Sequence, residues 1–545
     1  MSKMPGLRTL ALVVGLAAGL PGPPLHAAAT PEAERFGVLE YRVLGNSVLE
    51  GVAIEEKLYP HLGEARTLAD VETARKSLEE LYHQRGYATV FVDIPDQTVD
   101  EGIVRLKVTE GRLDRVRISG ARYFANGTIR TAAPEARAGT VPNLPVLQRQ
   151  LVQVNRQSRD REVTPVLRAG RVPGTVDLEL KVKDGLPLHL GLELNDRYTA
   201  YTSRYRSNLT ASYENLFQRF HTLSFQYQTA PEEPQQVRVL AATYLAPLGL
   251  DGDALAFYAV DTQSDLATVV DVNPLAIRGN GRIYGARLIR SLPAAGAWWQ
   301  SFTLGADYKD FTDTIEISAL DPLSGEIDLT RDLTPIRYLN GSLAWAGGWR
   351  SASRSLGSSS TLNFGVDGLI NDQAEFRYKR ARGRASYVYL RSDLQFEQRL
   401  WGGSALTLRV AGQAAPAPLI SNEQFSIGGA ESVRGYLESA QLGDLGAAGT
   451  LEWRSPSMHR WLGEWARTAT VFVFADGGVV SVLAVPEQNT RYITVRHELY
   501  SAGAGLRLAA FGNLEANLDW AWPLRDSGEV EAGDARLHFR TRWSF

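Results

Sequence analysis

Two short stretches hold the residues with the clearest chemistry. Residues 425–436 read FSIGGAESVRGY and contain one arginine, Arg434, between Val433 and Gly435. About forty residues later, FADGG places Asp476 between Phe474 and Gly478. A guanidinium is a rigid fork that a carboxylate can accept through two parallel hydrogen bonds, so such a pair fixes geometry as well as charge. Gly428, Gly429 and Gly435 let the chain turn and let its backbone approach a wall. This is chemistry for holding a segment in place. Chemistry for breaking bonds is not evident: the sequence has no HExxH, GxxxxGK[ST] or GxSxG, its 8 histidines are scattered, and it has no cysteine. We therefore expect no enzyme, no cofactor and no metal. The lack of cysteine also removes disulfides and thiolate nucleophiles, and suits export through an oxidising compartment.

The elements that would position this pair are strands. From about residue 187 to Phe545, segments of roughly ten residues alternate apolar with polar and are separated by turns or longer loops. Phe302, Leu304, Ala306 and Tyr308 share one face, opposite Thr303, Asp307 and Lys309. Leu390, Leu394, Phe396 and Leu400 oppose Arg391, Asp393, Gln395, Glu397 and Arg399. Leu514, Ala516, Leu518, Trp520 and Trp522 oppose Asn513, Glu515, Asn517 and Asp519. The last segment turns Leu537, Phe539, Thr541, Trp543 and Phe545 one way and Arg536, His538, Arg540 and Arg542 the other. Aromatic residues gather at segment ends (Tyr308, Trp401, Trp453, Trp520, Trp522), as at a bilayer interface. About sixteen such segments predict a closed transmembrane β-barrel with a lumen lined by both signs of charge. The stretch with Arg434 lies in a connection too long for a hairpin, between Leu406–Val410 and Ala447–Arg454, and long loops of this kind are commonly functional. Counting alternation from Phe474 puts Asp476 on one face with Phe472 and Phe474.

Ahead of the barrel lie a leader and two small α+β units. Lys3 and Arg8 precede an apolar run from Thr9 to Leu20, Pro21 to Pro24 end it, and Ala27-Ala28-Ala29 offers small residues for cleavage, so residues 1–29 read as a signal peptide. Residues 30–35 are a short segment, with no room for a further helix before Phe36. Residues 36–111 read strand, helix, helix, strand, strand. Thr67 and Asp70 can cap the second helix, which presents Leu68, Val71, Ala74, Leu78 and Leu81 on one face until Gly86 ends it. Residues 112–186 repeat the order, with Arg115–Ser119 extended, Leu144–Gln157 helical, and Val163–Leu167 and Val176–Val182 as strands. A net charge of −3 and a pI near 6.3 give no reason to expect nucleic acid as a partner. The mean hydropathy of −0.19 does not argue against a barrel, whose strands are apolar on one face only.

Several stretches resemble one known family. LEELYHQRGYATVFVDIP with VTEGRLDRVRISG is similar to a POTRA domain and its junction, and NRQSRDREVTPVLRAGRVPGTVDLELKV to the second POTRA domain of two-partner secretion transporters. FSIGGAESVRGY resembles the VRGY loop of the superfamily that joins these transporters to outer-membrane insertases, and FADGG resembles its partner strand motif. The resemblance covers nearly all of the mature chain. It implies that the alternating segments form an outer-membrane barrel in which Arg434 reaches Asp476 inside. It implies that Phe539, Trp543 and Phe545 belong to a terminal signal read by the barrel-assembly machinery. It also implies that the periplasmic POTRA domains capture a large unfolded exoprotein, adhesin- or haemolysin-like, as an added strand. We place that client-binding region at Gly86, Tyr87, Val163, Pro165 and Leu167. The expected function is nucleotide-free secretion by a monomer; the alternative is an insertase that folds other barrels into the membrane.

Overall fold

The computed structural model describes residues 34–545 apart from 201, 250–251, 265–268, 273–274, 279, 321–326 and 485–492. The expected leader and most of the short segment after it lie outside these residues. The described chain folds as two compact units. One holds the residues through Val116 with Glu135–Leu147 and Leu167–Leu178; the other holds Arg117–Pro134, Gln148–Val166 and Glu179–Phe545.

In the first unit, Glu40–Leu44, Ile103–Glu110 and Val90–Asp93 form a three-stranded sheet in that spatial order. Helix Leu68–Gln84 covers it. Thr67 and Asp70 close a reciprocal capping box at its start, which satisfies two backbone donors that a helix N-terminus leaves free. Val71, Ala74, Leu78 and Leu81 are buried as their spacing requires. Leu68 is instead 68 % exposed: helical side chains lean toward the N-terminus, so a first-turn residue leans away from the covered sheet. Tyr82, absent from the predicted face, is fully buried and donates its O–H to Asn46 Oδ1 (2.8 Å), which ties the helix to the turn after the first sheet strand. The simple strand-helix-helix order also omits a small pairing of Phe36–Val38 with Gly63–Arg66. The second α+β segment has a sheet ordered Arg112–Ser119, Thr175–Asp184, Arg161–Ala169, and a short helix, Asn126–Ala132, unpredicted beside Leu144–Arg156.

Sixteen antiparallel strands among the described residues close into one barrel: Leu188–Asn195, Arg206–Leu216, His221–Thr229, Val237–Pro247, Ala254–Ser264, Gly281–Ala295, Trp298–Leu320, Ile327–Arg350, Arg354–Gly365, Val388–Arg399, Ala405–Ala414, Leu445–Arg454, Ala466–Ala484, Ile493–Ala510, Leu514–Pro523 and Arg536–Ser544. Closure pairs the last with the first, so the wall has no free edge. Alternation places Leu518, Trp520 and Trp522 outside and Asp519 inside, as the pattern requires. Two strands exceed the predicted length by far: Trp298–Leu320 has 23 residues and Ile327–Arg350 has 24. Barrel neighbours pair with them up to Phe311, with one further bond from Thr312 N–H to Asn280 O (2.8 Å), and from Asn340 onward; past those points the described parts of the two strands pair with each other.

Candidate functional site

The connection from Ala405–Ala414 to Leu445–Arg454 folds into the barrel instead of standing above it. Its FSI end is a short strand, Phe425–Ile427, paired with Gln441–Gly443, so this stretch is less irregular than its glycine content suggests. Gly428, Gly429 and Gly435 then take φ of 102°, 105° and 90°, where a side chain is strained. Phe425, Ile427, Val433, Tyr436 and Leu437 pack against Ala448, Val480, Leu499 and Val530 on the inner side of the barrel. The Tyr436 hydroxyl lies 3.0 Å from Tyr500 O and 2.9 Å from Arg525 O, and accepts from the Arg525 N–H (3.2 Å).

Arg434 sits at the centre of this fold-back. Its Nε and Nη2 donate to the two oxygens of Asp476 (2.8 and 2.9 Å), and its own backbone N–H donates to the same carboxylate (3.1 Å). Nη1 reaches Asp519 (3.1 Å), and Glu452 lies 3.6 Å away. The guanidinium carbon is 3.3 Å from the centroid of the Phe474 ring. Phe472, Phe474 and Asp476 are all buried on one face, in agreement with their alternation. The pair is therefore one part of a larger charge cluster. Arg507 compensates Glu452 through two bonds (2.6 and 2.7 Å), and its guanidinium carbon lies 4.3 Å from the Phe472 centroid. The Gly435 N–H donates to His538 Nε2 (2.9 Å), which leaves Nδ1 as the proton carrier, 3.4 Å from Asp196. Alternation had placed Asp519 and His538 on inner faces. It could not show that they meet the arginine, because register between distant strands is not local information.

Gly478 lets the loop lie flat on the wall: a Cβ there would stand 2.9 Å from Val433 Cγ2 and 3.1 Å from Ile427 Cγ2. Gly478→Val is expected to destabilise the docked loop by about 1–3 kcal/mol through overpacking, read as a lower temperature for loss of the compact form on semi-native gels. A cavity of about 350 Å³ borders Arg434 and is lined by Glu397, Arg409, Glu452, Arg454 and Arg540 among others, so both signs of charge face it. At the closing strand Trp543 and Phe545 are exposed outside, Phe539 is half-buried 5.8 Å from Tyr205, and Phe545 exchanges two backbone bonds with Leu190 (2.8 and 3.0 Å).

The five residues assigned to client capture do not form one open edge. Gly86 has φ 97°, its carbonyl accepts the Leu144 N–H (3.0 Å), and a Cβ there would meet Asn143 Oδ1 at 2.6 Å, so Gly86 is a tight joint followed by Tyr87. The edge of Val90–Asp93 beyond Tyr87 is already covered. Val92 N–H bonds Glu79, Val92 O accepts from Arg75, and Val90 O lies 3.0 Å from His83 Nε2. Val163 is sealed likewise by Asn155, which accepts its N–H (2.8 Å) and donates to its carbonyl (3.1 Å). Pro165 has no N–H to offer. The covering comes from polar side chains on the sheet-facing rim of each helix: Arg75, Glu79 and His83 in one, Asn155 in the other. Asn155→Ala is expected to cost about 1–3 kcal/mol and to speed amide exchange at Val163 roughly ten-fold.

Asp160, His189 and Glu214 bring ligand atoms within 4.8 Å of one another. These groups already have partners: His189 Nε2 is 2.9 Å from Asp160, and Arg159 is 2.6 Å from Glu214.

Comparison with known proteins places this geometry. Residues 174–508 match the family described as haemolysin secretion/activation protein ShlB/FhaC/HecB, and residues 36–111 match the POTRA domain of ShlB type. The outer membrane transporter CdiB-2 of Burkholderia pseudomallei is 30 % identical over 145 residues, 27 % of this chain and 24 % of that one. CdiB of Dickeya dadantii is 23 % identical over 450 residues, covering 77 % of this chain and 71 % of its own. The heme/hemopexin transporter protein HuxB of Haemophilus influenzae is 20 % identical over 501 residues, 90 % and 84 % of the two chains. Among solved structures, CdiB from Escherichia coli superposes with a TM-score of 0.58 at 18 % identity over 96 % of this chain and 93 % of that one. BamA from Haemophilus ducreyi lacking POTRA domains 1–3 gives 0.54 at 14 % identity over 94 % and 100 %. With a match over more than half its length, a closed sixteen-stranded barrel and a ShlB-type POTRA domain, the chain belongs to the haemolysin secretion/activation family of two-partner secretion transporters in the outer membrane, with its POTRA domains in the periplasm.

Proposed function

We propose that this protein captures a large exoprotein in unfolded form in the periplasm and passes it through the barrel to the cell surface without nucleotide hydrolysis. In this reading residues 36–111 and 112–186 bind the client, and residues 187–545 conduct it. The observation that carries it is the Arg434 loop. It occupies the lumen through side-chain contacts with the wall, so it can be shifted without breaking the barrel ladder. The mixed-charge cavity beside Arg434 suits a passage that discriminates little by charge. Direction comes from folding of the client outside. Insertion of the barrel depends on the assembly machinery reading Phe539, Trp543 and Phe545, and the transporter works as a monomer. Co-expression with a candidate exoprotein tests the reading: the exoprotein is expected in the medium or on the surface with the wild-type transporter, and in the periplasm when residues 36–186 are removed.

One observation favours the insertase reading. The closing pair Arg536–Ser544 and Leu188–Asn195 shares 5 registered residues, continued by the two bonds between Phe545 and Leu190, whereas Leu188–Asn195 shares 8 with its other neighbour. Lateral opening would need that seam to part. Trp543 and Leu192 face each other across it, and a disulfide between W543C and L192C has no competing cysteine in this chain. Secretion that survives the locked seam supports export through the lumen; secretion lost and regained on reduction supports the lateral route.

A further inference from the structure

We propose that residues 366–387, the connection between Arg354–Gly365 and Val388–Arg399, form a second closure of the pore together with residues 415–424. Glu423 and Asp444 are the positioning residues that hold it. The argument starts from a conflict in the wall. A wet barrel lumen is lined by polar side chains. Here Val239, Val260, Ile283, Phe311 and Ile336 point inward on their strands, and each is at most 3 % exposed. Something dry must cover them, and the contacts identify it. Helix Gln373–Lys379 carries Phe376 into their cluster, with its ring 5.5 Å from Tyr338 and 5.8 Å from Tyr387; Leu419 and Ile420 enter from the long loop.

The two halves of that long loop thus engage opposite sectors. Residues 425–437 pack on the strands from Leu445 onward, and residues 415–420 pack on the strands between Val237 and Arg399. Arg434 secures only the first of these.

Two buried carboxylates secure the second. Glu423 is 2 % exposed and receives Lys309 Nζ (2.5 Å), the Tyr338 hydroxyl (2.5 Å) and the Tyr389 hydroxyl (2.6 Å), all from the barrel wall. Asp444 is fully buried and receives both terminal nitrogens of Arg380 (2.8 and 2.7 Å), the backbone N–H of Leu419 (2.8 Å) and of Leu483 (2.7 Å), and the Gln424 amide (3.2 Å). Arg380 also donates to the Leu419 carbonyl. One carboxylate therefore gathers the helix-bearing loop, the long loop and the wall. The helix itself is no part of the barrel ladder, so it can leave as a body once Arg380 and Phe376 are released and the side-chain bonds of Glu375 to the Arg337 N–H (2.9 Å) and of Asn371 to the Leu339 N–H (2.7 Å) give way.

The test uses the full chain, purified, in planar bilayers, with residues 367–386 replaced by a short Gly/Ser turn and barrel insertion checked by heat-modifiable migration. Single-channel conductance is expected to rise several-fold and the channel to stay open, whereas R434A alone, which leaves the second closure in place, gives a smaller rise. Wild-type conductance in the replaced protein would overturn the proposal. Should the replacement not insert, E423Q and D444N keep the chain length and carry the same test: frequent openings support the closure, and traces as quiet as wild type refute it. A second arm rests on the export reading above. A cleavable bifunctional thiol reagent joins F376C to Y338C, the sole cysteines, and is expected to stop secretion until it is cleaved. Wild-type secretion while joined refutes the need for the helix to move. A protein that never secretes in any form fails the export reading alone, and conductance still judges the closure.

Discussion

Arg434→Ala is expected to be more damaging than Asp476→Ala, although the two residues form one ion pair. Removing the arginine leaves the Asp476 carboxylate without its bidentate partner at a site where that side chain has no exposure. Asp519 loses its 3.1 Å contact as well, and Glu452 keeps only Arg507. Stranding a buried charge costs about 3–5 kcal/mol, and the cavity beside Arg434 lowers this where water can enter. Removing the aspartate instead leaves the guanidinium beside Asp519, Glu452 and the Phe474 ring, so the loss is nearer about 1–3 kcal/mol. Arg434→Lys keeps the charge but not the fork, and belongs between the two. Semi-native unfolding temperatures and secreted client are the readouts. Equal loss in both alanine variants would mean that Asp519 and Glu452 contribute nothing to holding the arginine.

Asp444→Ala is expected to release residues 366–387 and 415–424 from each other and from the wall. The substitution abandons a guanidinium and two backbone N–H groups at a fully buried position, and the expected cost is again about 3–5 kcal/mol. Lys379 and Arg380, part-buried while the loop is held, then become available to trypsin added outside intact cells, and cleavage at these two is the signal. Removing both charges costs less than removing Asp444 alone, because no buried charge is left unpaired, while the Leu419 and Leu483 N–H groups still lose their acceptor. R380A/D444A is therefore expected to regain part of the protection that D444A loses. If D444A cells resist trypsin as wild type does, Asp444 does not hold the loop.

Much of the architecture is legible in the sequence itself. A strand's two faces follow from the parity of neighbouring residues, so Leu518 and Trp520 outside, Asp519 inside and Asp476 beside Phe474 needed no tertiary knowledge. The helix at Leu68–Gln84 was legible from its cap and spacing for the same reason, though the burial of Tyr82 and the exposure of Leu68 depended on where the sheet ends. Loops carry no period. The run AAPAPLI at 414–420 was a usable signal all the same, since so apolar a loop has to be buried somewhere.

The chain alone thus determined which residues face in, where the strands run, and that one arginine and one aspartate are suited to pair. Only the tertiary structure decided that Asp519, 85 residues beyond Arg434, joins that pair, that Arg380 meets Asp444 across 64 residues, and that Asn155 seals the strand at Val163. Face is set by covalent neighbours. A meeting between distant strands and loops is set by register and by the turns between them, and no local pattern records either.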